Sequence, residues 1–111
     1  MGICYHENRM VRFAMRIIAK KKLKLFWVKH VDAEQPLKSW FHCVETSVWL
    51  TPHDIKDEFN SADVLRHNRV VFNIKGNKYR LIAAVNYNYK IVYIRFIGTH
   101  ADYDKIDAIN I

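Results

Sequence analysis

The chain has 111 residues, half of them hydrophobic and 14% aromatic, which suffices for one domain with one core and excludes a disordered chain. It contains no run of about 20 apolar residues, which excludes a membrane-spanning helix, and its first residues lack the apolar stretch of a secretory signal. We therefore expect a cytoplasmic protein without a membrane partner. The formal net charge of +7 favours a polyanionic partner, either nucleic acid or an acidic protein.

The positive charge is concentrated in two stretches. Counting along the sequence, residues 15–31 contain six Lys or Arg and no acidic residue, and residues 68–97 contain six more and again no acidic residue. A charge that served solubility alone would be mixed with acidic groups. We interpret the two stretches as parts of a binding surface.

The cysteine and histidine spacing does not indicate a metal site. Cys4 and Cys43 form no CxxC motif, and the six histidines are scattered, with only His42 next to a cysteine. We expect two reduced thiols, no metal and no cofactor.

Regular patterning begins at Met15, which we interpret as a candidate alternative start of translation to Met1. Residues 1–14 are therefore interpreted as an N-terminal extension of uncertain status, and residues 15–111 as a single domain. Arg16–Ala19 is predicted to be a short strand. Lys20–Val31 is predicted to be a helix with apolar residues on one face and lysines on the other.

Two further helices precede the predicted sheet. Asp32 is placed to cap a helix whose apolar stripe includes Trp40. Thr51-Pro52-His53-Asp54 has the form of a helix start, with a cap, Pro at the first position and an acid three residues after the cap. That helix should end near Phe59, and the polar stretch Asn60–Asn68 is predicted to be a connection.

From Arg69 the apolar residues alternate, which is typical of strands. The predicted strands are Arg69–Lys75, Lys78–Tyr87 and Lys90–Ile97. Gly76-Asn77 and Asn88-Tyr89 are predicted to be two-residue turns that join them as consecutive hairpins. Thr99-His100-Ala101-Asp102 then has the form of another capped helix start.

With two-residue turns, the strand pairing follows by counting. Asn73 is predicted to lie opposite Arg80. Ile82 is predicted to lie opposite Arg95, so that Arg80 and Arg95 become diagonal neighbours, about 7–8 Å apart, on one face of an antiparallel sheet. The opposite face is apolar, includes Phe96, and is predicted to pack against the helices. Exposure to water alone explains a polar face but not the lack of acidic residues, and we interpret the polar face as a phosphate-binding surface.

His100 follows the last predicted strand, in the first turn of the final helix. Helix N-termini attract anions through free N–H groups and the helix dipole, and Tyr103 lies three residues further on. A lone histidine is more often structural, but beside a basic face we interpret His100 as functional.

Residues 71–104 carry a resemblance to a known family. The sequence reads VFNIKGNKYRLI over 71–82, VYIRFIGTH over 92–100 and then Tyr103-Asp104. This combination resembles the HigB-type toxins of the RelE-like group. The resemblance implies an α+β fold, with a small antiparallel sheet of about four strands packed against two N-terminal helices and a short C-terminal helix. It also implies an endoribonuclease that cleaves messenger RNA on the ribosome, and a hetero-oligomer with a HigA-like helix-turn-helix antitoxin.

The resemblance also points to particular residues, since basic residues and a tyrosine carry the reaction in RelE-like toxins. The predicted catalytic residues are Lys78, Arg80, Arg95 and Tyr103, with His100 as a HigB-type addition. The predicted RNA-binding residues are Asn73, Lys75 and Tyr93 on the sheet and Lys20, Lys21 and Lys22 on the first helix.

The expected chemistry needs no metal, because the 2′-OH of RNA is a built-in nucleophile. Arginine forks match phosphate oxygens, and His100 is the candidate acid or base because imidazole titrates near neutral pH. Either Lys78 or Tyr103 would be its partner. Two other classes stay open: a non-catalytic RNA- or ribosome-binding module, which would have no need of His100, and a DNA-binding repressor, which the lack of a recognisable helix-turn-helix pair disfavours.

Overall fold

The computed structural model describes residues 15–111 as helices packed on one mixed sheet. The helices are α1 (Lys20–Lys29), α2 (Glu34–Glu45), α3 (Pro52–Glu58) and α4 (His100–Tyr103). The strands are β1 (Arg16–Ile18), β2 (Asp63–Val64), β3 (Arg69–Ile74), β4 (Tyr79–Asn86) and β5 (Ile91–Thr99). The predicted α+β class and the short C-terminal helix are confirmed. The predicted extension, residues 1–14, lies outside the described residues.

The sheet differs from the prediction in its outer strands. Its order is β1-β5-β4-β3-β2, and β1 runs parallel to β5, so the sheet is mixed rather than antiparallel. The strand at the other edge, β2, lies in the stretch that was predicted to be a connection. It has only two residues, both exposed, so the sequence shows no alternation of apolar and polar residues that would indicate a strand.

The β3–β4 hairpin has the predicted register, with Asn73 opposite Arg80. Its turn covers four residues, 75–78, rather than two, because Ile74 and Tyr79 form the last pair. Lys75 and Gly76 have positive φ angles of 53° and 64°. Glycine adopts that conformation without a steric cost, which is why a glycine is suited to the tip.

A β-bulge changes the pairing of β4 with β5. Ala83 lies opposite Ile94, but Ile82 lies opposite Phe96, so Arg95 is the extra residue. The prediction that Ile82 pairs with Arg95 is therefore wrong, and so is the placement of Phe96 on the core face, because paired residues point to the same side. An inserted residue shifts everything beyond it, and counting from the turns cannot detect it.

The core lies between the apolar face of the sheet and the helices. Phe72 of β3 is its centre, with ring centroids 5.3 Å from Trp40 of α2, 6.1 Å from Trp49 and 5.1 Å from Phe59. These four aromatic side chains are buried. They dock α2 and the end of α3 onto the sheet, and this leaves the opposite sheet face and the hairpin ends available for a site.

Two helix starts show where local signals succeed and fail. Thr51 and Asp54 form the predicted capping box of α3. Asp32 does not cap α2, which begins at Glu34 after a 3₁₀ helix, Val31–Ala33. The Asp32 carboxylate instead accepts hydrogen bonds from side chains of the β3–β4 hairpin. One of them, Lys78, lies 46 positions further along the chain.

Cys43 of α2 is disulfide-bonded, so the expectation of a reduced thiol is wrong there. Sequence spacing alone does not show which thiols a fold brings together. Cys4 lies outside the described residues. Within residues 15–111, the structure contains no helix with the length and apolar character needed to cross a membrane.

Candidate active site at the hairpin tip

A cluster of polar side chains lies where the β3–β4 turn meets the start of α4. Thr99, the last residue of β5, pairs with Tyr79 at the start of β4. The His100 N–H donates to the Lys78 carbonyl over 3.3 Å, which attaches α4 to the turn. The predicted cap of α4 is present, because the Thr99 hydroxyl accepts from the Asp102 N–H at 3.1 Å. Short-range pairing and capping therefore place His100 beside the turn.

Arg80 is the centre of this cluster. Its Nη2 donates to Oδ1 of Asn77 at 2.8 Å and lies 3.3 Å from Nδ1 of His100. Its guanidinium carbon lies 5.1 Å from the centroid of the Tyr103 ring, a cation–π contact. The structure thus brings together three of the five predicted catalytic residues, Arg80, His100 and Tyr103.

The imidazole of His100 lies between a cation and an anion. A guanidinium has only donors, so its contact with Nδ1 requires that nitrogen to be an acceptor. The ring proton is then on Nε2, which lies 3.5 Å from Oδ2 of Asp104. Both side chains remain largely exposed, at 48% and 62%. This contact therefore assigns the ring proton of His100 to Nε2, on the side of Asp104, and the imidazole remains accessible to a substrate.

Lys78, the fourth predicted catalytic residue, is held by a carboxylate. Its Nζ donates to Oδ2 of Asp32 at 2.5 Å, and Nζ of Lys75 lies 4.0 Å from the same oxygen. The Tyr79 hydroxyl donates to Oδ1. Hydrogen bonds from Lys78 and then from Tyr79 lower the pKa of Asp32 to about 2, and the bond to Asp32 raises the pKa of Lys78. The Lys78 ammonium is therefore fixed in its charged form.

Arg95 is not a neighbour of Arg80. Because of the bulge, Arg80 lies opposite Gly98, three residues beyond Arg95. Nε of Arg95 instead donates to the main-chain oxygen of Ile111 at 3.4 Å, and Arg69 donates to the same oxygen at 2.7 Å. The predicted diagonal pair of arginines is wrong, and the two guanidinium groups belong to different parts of the surface.

The polar face is also not uniformly exposed. Val71 and Ile82 point to the same side as Arg80, yet they are only 1% and 0% exposed. Tyr93 is a predicted RNA-binding residue. It lies in the sheet between Ala84 of β4 and strand β1, and it is half-buried. The middle of this face is therefore buried and apolar, while accessible polar groups lie at the hairpin tip and around Arg69 and Arg95.

The other predicted RNA-binding residues lie on two sides of the cluster. Asn73, the partner of Arg80 in the sheet, donates to the Ser61 carbonyl at 3.3 Å and lines a cavity of about 260 Å³. Lys20 contacts the ring of Phe41, with Nζ 4.8 Å from its centroid. Lys21 and Lys22 are exposed on α1.

Three polar residues of the site were missed or misassigned by sequence reasoning. The turn signal predicts Asn77 only as a turn residue, although its side chain holds Arg80. The motif that includes Asp104 assigns it no role, although it lies beside His100. The sequence places Asp32 as a helix cap, and no local signal indicates its contact with the hairpin. In the described part of the chain, no group of three or more His, Cys, Asp or Glu residues is arranged to hold a metal ion.

The fold, a small mixed sheet covered by N-terminal helices with a basic cluster at one hairpin tip, is that of a RelE-like protein. The family model of the HigB toxin, the RelE-like toxic component of a toxin–antitoxin system, matches residues 33–106. This is more than half of the chain, and the chain belongs to the HigB toxin family.

Three curated relatives extend over nearly the same length. The chain is 29% identical over 98 residues to the mRNA interferase toxin HigB of Escherichia coli K12, covering 86% of this chain and 94% of the relative. The mRNA interferase HigB of Shigella flexneri has the same identity and coverage. The mRNA interferase HigB of Escherichia coli O6:H1 is 27% identical over 94 residues, covering 83% of this chain and 91% of the relative.

Proposed function

We propose that this toxin is an endoribonuclease that cleaves messenger RNA without a metal ion. The observation that carries the proposal is the contact of Arg80 with His100 at the hairpin tip, with the Tyr103 ring against the same guanidinium. A fixed cation next to an imidazole is what phosphodiester cleavage needs, namely charge stabilisation beside a proton-transfer group. The relatives named mRNA interferases support messenger RNA as the substrate.

The proposed reaction starts with the 2′-oxygen of the RNA. It loses its proton and attacks the adjacent phosphorus, and the bond from phosphorus to the 5′-oxygen breaks, leaving a 2′,3′-cyclic phosphate. Arg80 stabilises the negative charge that grows on the phosphoryl oxygens. Once Arg80 has turned to the phosphate, Nδ1 of His100, the unprotonated ring nitrogen, takes the proton of the 2′-OH. The Tyr103 hydroxyl is the proposed donor of a proton to the leaving 5′-oxygen, because Lys78 is held in its charged form by Asp32.

Arg95 has a different proposed role. It lies three residues before Gly98, the strand partner of Arg80, and its Nε donates to the main-chain oxygen of Ile111 rather than lying in the Arg80–His100 cluster. We assign it to the RNA backbone on either side of the cleaved bond. Lys75 and Asn73 on the hairpin, together with the exposed lysines of α1, are proposed to contact further phosphates.

The proposed partner that blocks the toxin is a HigA-like helix-turn-helix antitoxin. A groove of about 400 Å³ between α1 and β5 has cationic and apolar walls. Its lining residues are Lys22, Leu25, Phe26, Lys29, Arg95, Phe96 and Ile97. An acidic antitoxin segment with apolar side chains complements both kinds of wall and would offset the self-repulsion of the basic surface.

The ribosome is the proposed place of action, in the bacterial cytoplasm. The separate basic surfaces at the hairpin tip and on α1 suit a protein that contacts ribosomal RNA while it cleaves a messenger. A non-catalytic module would use the same lysines and arginines but would not need an acid–base group such as His100.

Mapping of RNA ends tests the proposal. Purified toxin, added to translating ribosomes or to free RNA, should give fragments that end in a 2′,3′-cyclic phosphate or 3′-phosphate, and EDTA should not prevent the cleavage of free RNA. The same RNA with a 2′-deoxy residue at the cut site should stay intact, since it lacks the nucleophile. Binding without cleavage, or cleavage of free RNA that EDTA abolishes and magnesium restores, would contradict the proposal.

A further inference from the structure

Asp32 connects the helical layer to the hairpin tip. It lies in the 3₁₀ helix between α1 and α2, yet both of its carboxylate oxygens bond residues of the β3–β4 hairpin. Oδ1 accepts from the Tyr79 hydroxyl, and Oδ2 accepts from the Lys78 ammonium. One acidic side chain thus bridges two parts of the fold inside an otherwise basic region.

Tyr79 determines the direction of this carboxylate. Its side chain is 2% exposed, and its ring centroid lies 5.2 Å from that of Phe26 and 5.5 Å from that of His30, both on the α1 side. A ring packed so closely holds its hydroxyl in one place. Because that hydroxyl occupies Oδ1, the other oxygen of Asp32 faces the two lysines at the ends of the turn, Lys75 and Lys78.

The same turn carries groups of the candidate active site. Asn77 lies within it and holds the Arg80 guanidinium, and the Lys78 carbonyl accepts the His100 N–H. A movement of the turn would therefore displace both Arg80 and His100. Among the residues that the structure describes, Asp32 is the one whose side chain attaches the turn to the helical layer through hydrogen bonds.

We propose that Asp32 is a positioning residue for RNA cleavage, which holds Lys78 as a fixed cation and keeps the β3–β4 turn in register with Arg80 and His100. This inference rests on the proposed ribonuclease function. It assigns Lys78 to phosphate binding and removes it from proton transfer, since an ammonium in a hydrogen-bonded ion pair gives up its proton less readily.

Because Asp32 is negatively charged, its replacement should change KM and kcat in a combination that a loss of folding would not produce. Replacing it with asparagine removes a negative charge from a basic surface, so electrostatics alone should strengthen RNA binding and lower KM. A loss of positioning should at the same time lower kcat, by about 10- to 100-fold if the turn shifts by an ångström or so. A variant that was merely less folded would lose activity in proportion to its folded fraction and would keep the wild-type KM.

The test is steady-state cleavage by the full chain with Asp32→Asn, using Glu34→Gln as the matched control. Glu34 is two residues further on, and its ion pair with Lys38, at 2.6 Å, is likewise exposed, but no hydrogen bond or ion pair joins it to the hairpin. We expect Asp32→Asn to lower kcat and KM together, and Glu34→Gln to keep the wild-type kcat. In a Lys78→Gln background, Asp32→Asn should cause little further loss, because both changes act through the same contact.

Each outcome has a separate meaning. A wild-type protein that does not cleave RNA overturns the proposed function itself. If the wild type cleaves and Asp32→Asn matches it in kcat, the role of Asp32 is overturned while the function stands. If Asp32→Asn does not fold, Lys78→Gln alone decides the matter. The Lys78 side chain is 57% exposed, so the Lys78→Gln variant should fold. It should lose kcat, and an unchanged kcat would overturn the inference.

Discussion

Nη2 of Arg80 lies 3.3 Å from Nδ1 of His100, so the guanidinium selects the tautomer of the imidazole. Arg80 comes from β4 and His100 from the start of α4, and the pairing of β4 with β5 brings the two elements together. The contact leaves Nε2 as the protonated nitrogen, close to Asp104. This one relationship links the strand register to the proposed acid–base chemistry.

The first prediction concerns His100. Glutamine can keep a hydrogen bond with Arg80 but cannot transfer a proton near neutral pH, so His100→Gln should lower the rate of cleavage by about 10²–10⁴-fold. RNA affinity should change little, because phosphate charge supplies the binding. Single-turnover cleavage, and binding of RNA with a 2′-deoxy residue at the cut site, measure the two effects. A variant that cuts at nearly wild-type speed would assign the proton transfer to Tyr103.

The second prediction separates the two arginines. Inducing the wild-type chain should arrest bacterial growth, and Arg80→Ala should relieve that arrest and lower the rate of cleavage, because Arg80 contacts His100 and is proposed to stabilise the reacting phosphate. Arg95→Ala should chiefly weaken RNA binding and reduce its salt dependence, because Arg95 lies further along β5. Arg66→Ala is the control, since it removes the same charge from an exposed position between β2 and β3. Equal losses of kcat in the Arg80 and Arg95 variants would contradict the separation.

The third prediction concerns the groove between α1 and β5. Leu25 lines it and is 60% exposed, so Leu25→Asp should weaken the complex with the proposed HigA-like antitoxin and leave the kcat of RNA cleavage unchanged. Leu50→Asp is the matched control, because Leu50 is 62% exposed but lies before α3, outside the groove. Titration of co-purified complexes at two salt concentrations provides the measurement. Equal affinities for the two variants would place the antitoxin elsewhere.

The fourth prediction is a pH dependence of stability that Asp32 causes. Its pKa is lowered from 3.8 to about 2 in the folded state. The carboxylate therefore stabilises the fold fully above pH 3.8, and this contribution is lost as the pH falls towards 2, where the folded state also takes up the proton. The difference in Tm between the wild type and Asp32→Asn should be constant at neutral pH and should shrink between pH 4 and pH 2. A difference that stays constant down to pH 2 would contradict the ion pair.

Local patterns in the sequence determined much of this fold. The turn signal at Gly76 and the alternation of apolar residues on both sides predicted the pairing of Asn73 with Arg80, because a hairpin depends on residues that are close in the chain. The capping boxes of α3 and α4 were predicted for the same reason. The motif around residues 71–104 also predicted the family, and with it the joint presence of Arg80, His100 and Tyr103 in one cluster.

Only the tertiary structure decided the rest. The parallel pairing of β1 with β5, the bulge that moves Arg95 away from Arg80, and the ion pair of Asp32 with Lys78 leave no local trace in the sequence. Each depends on how residues distant in the chain pack together: an edge strand finds its partner, a bulge adjusts the twist of the sheet, and a carboxylate meets a lysine across two layers. Composition and periodicity record which face of an element is buried, but not which element it meets.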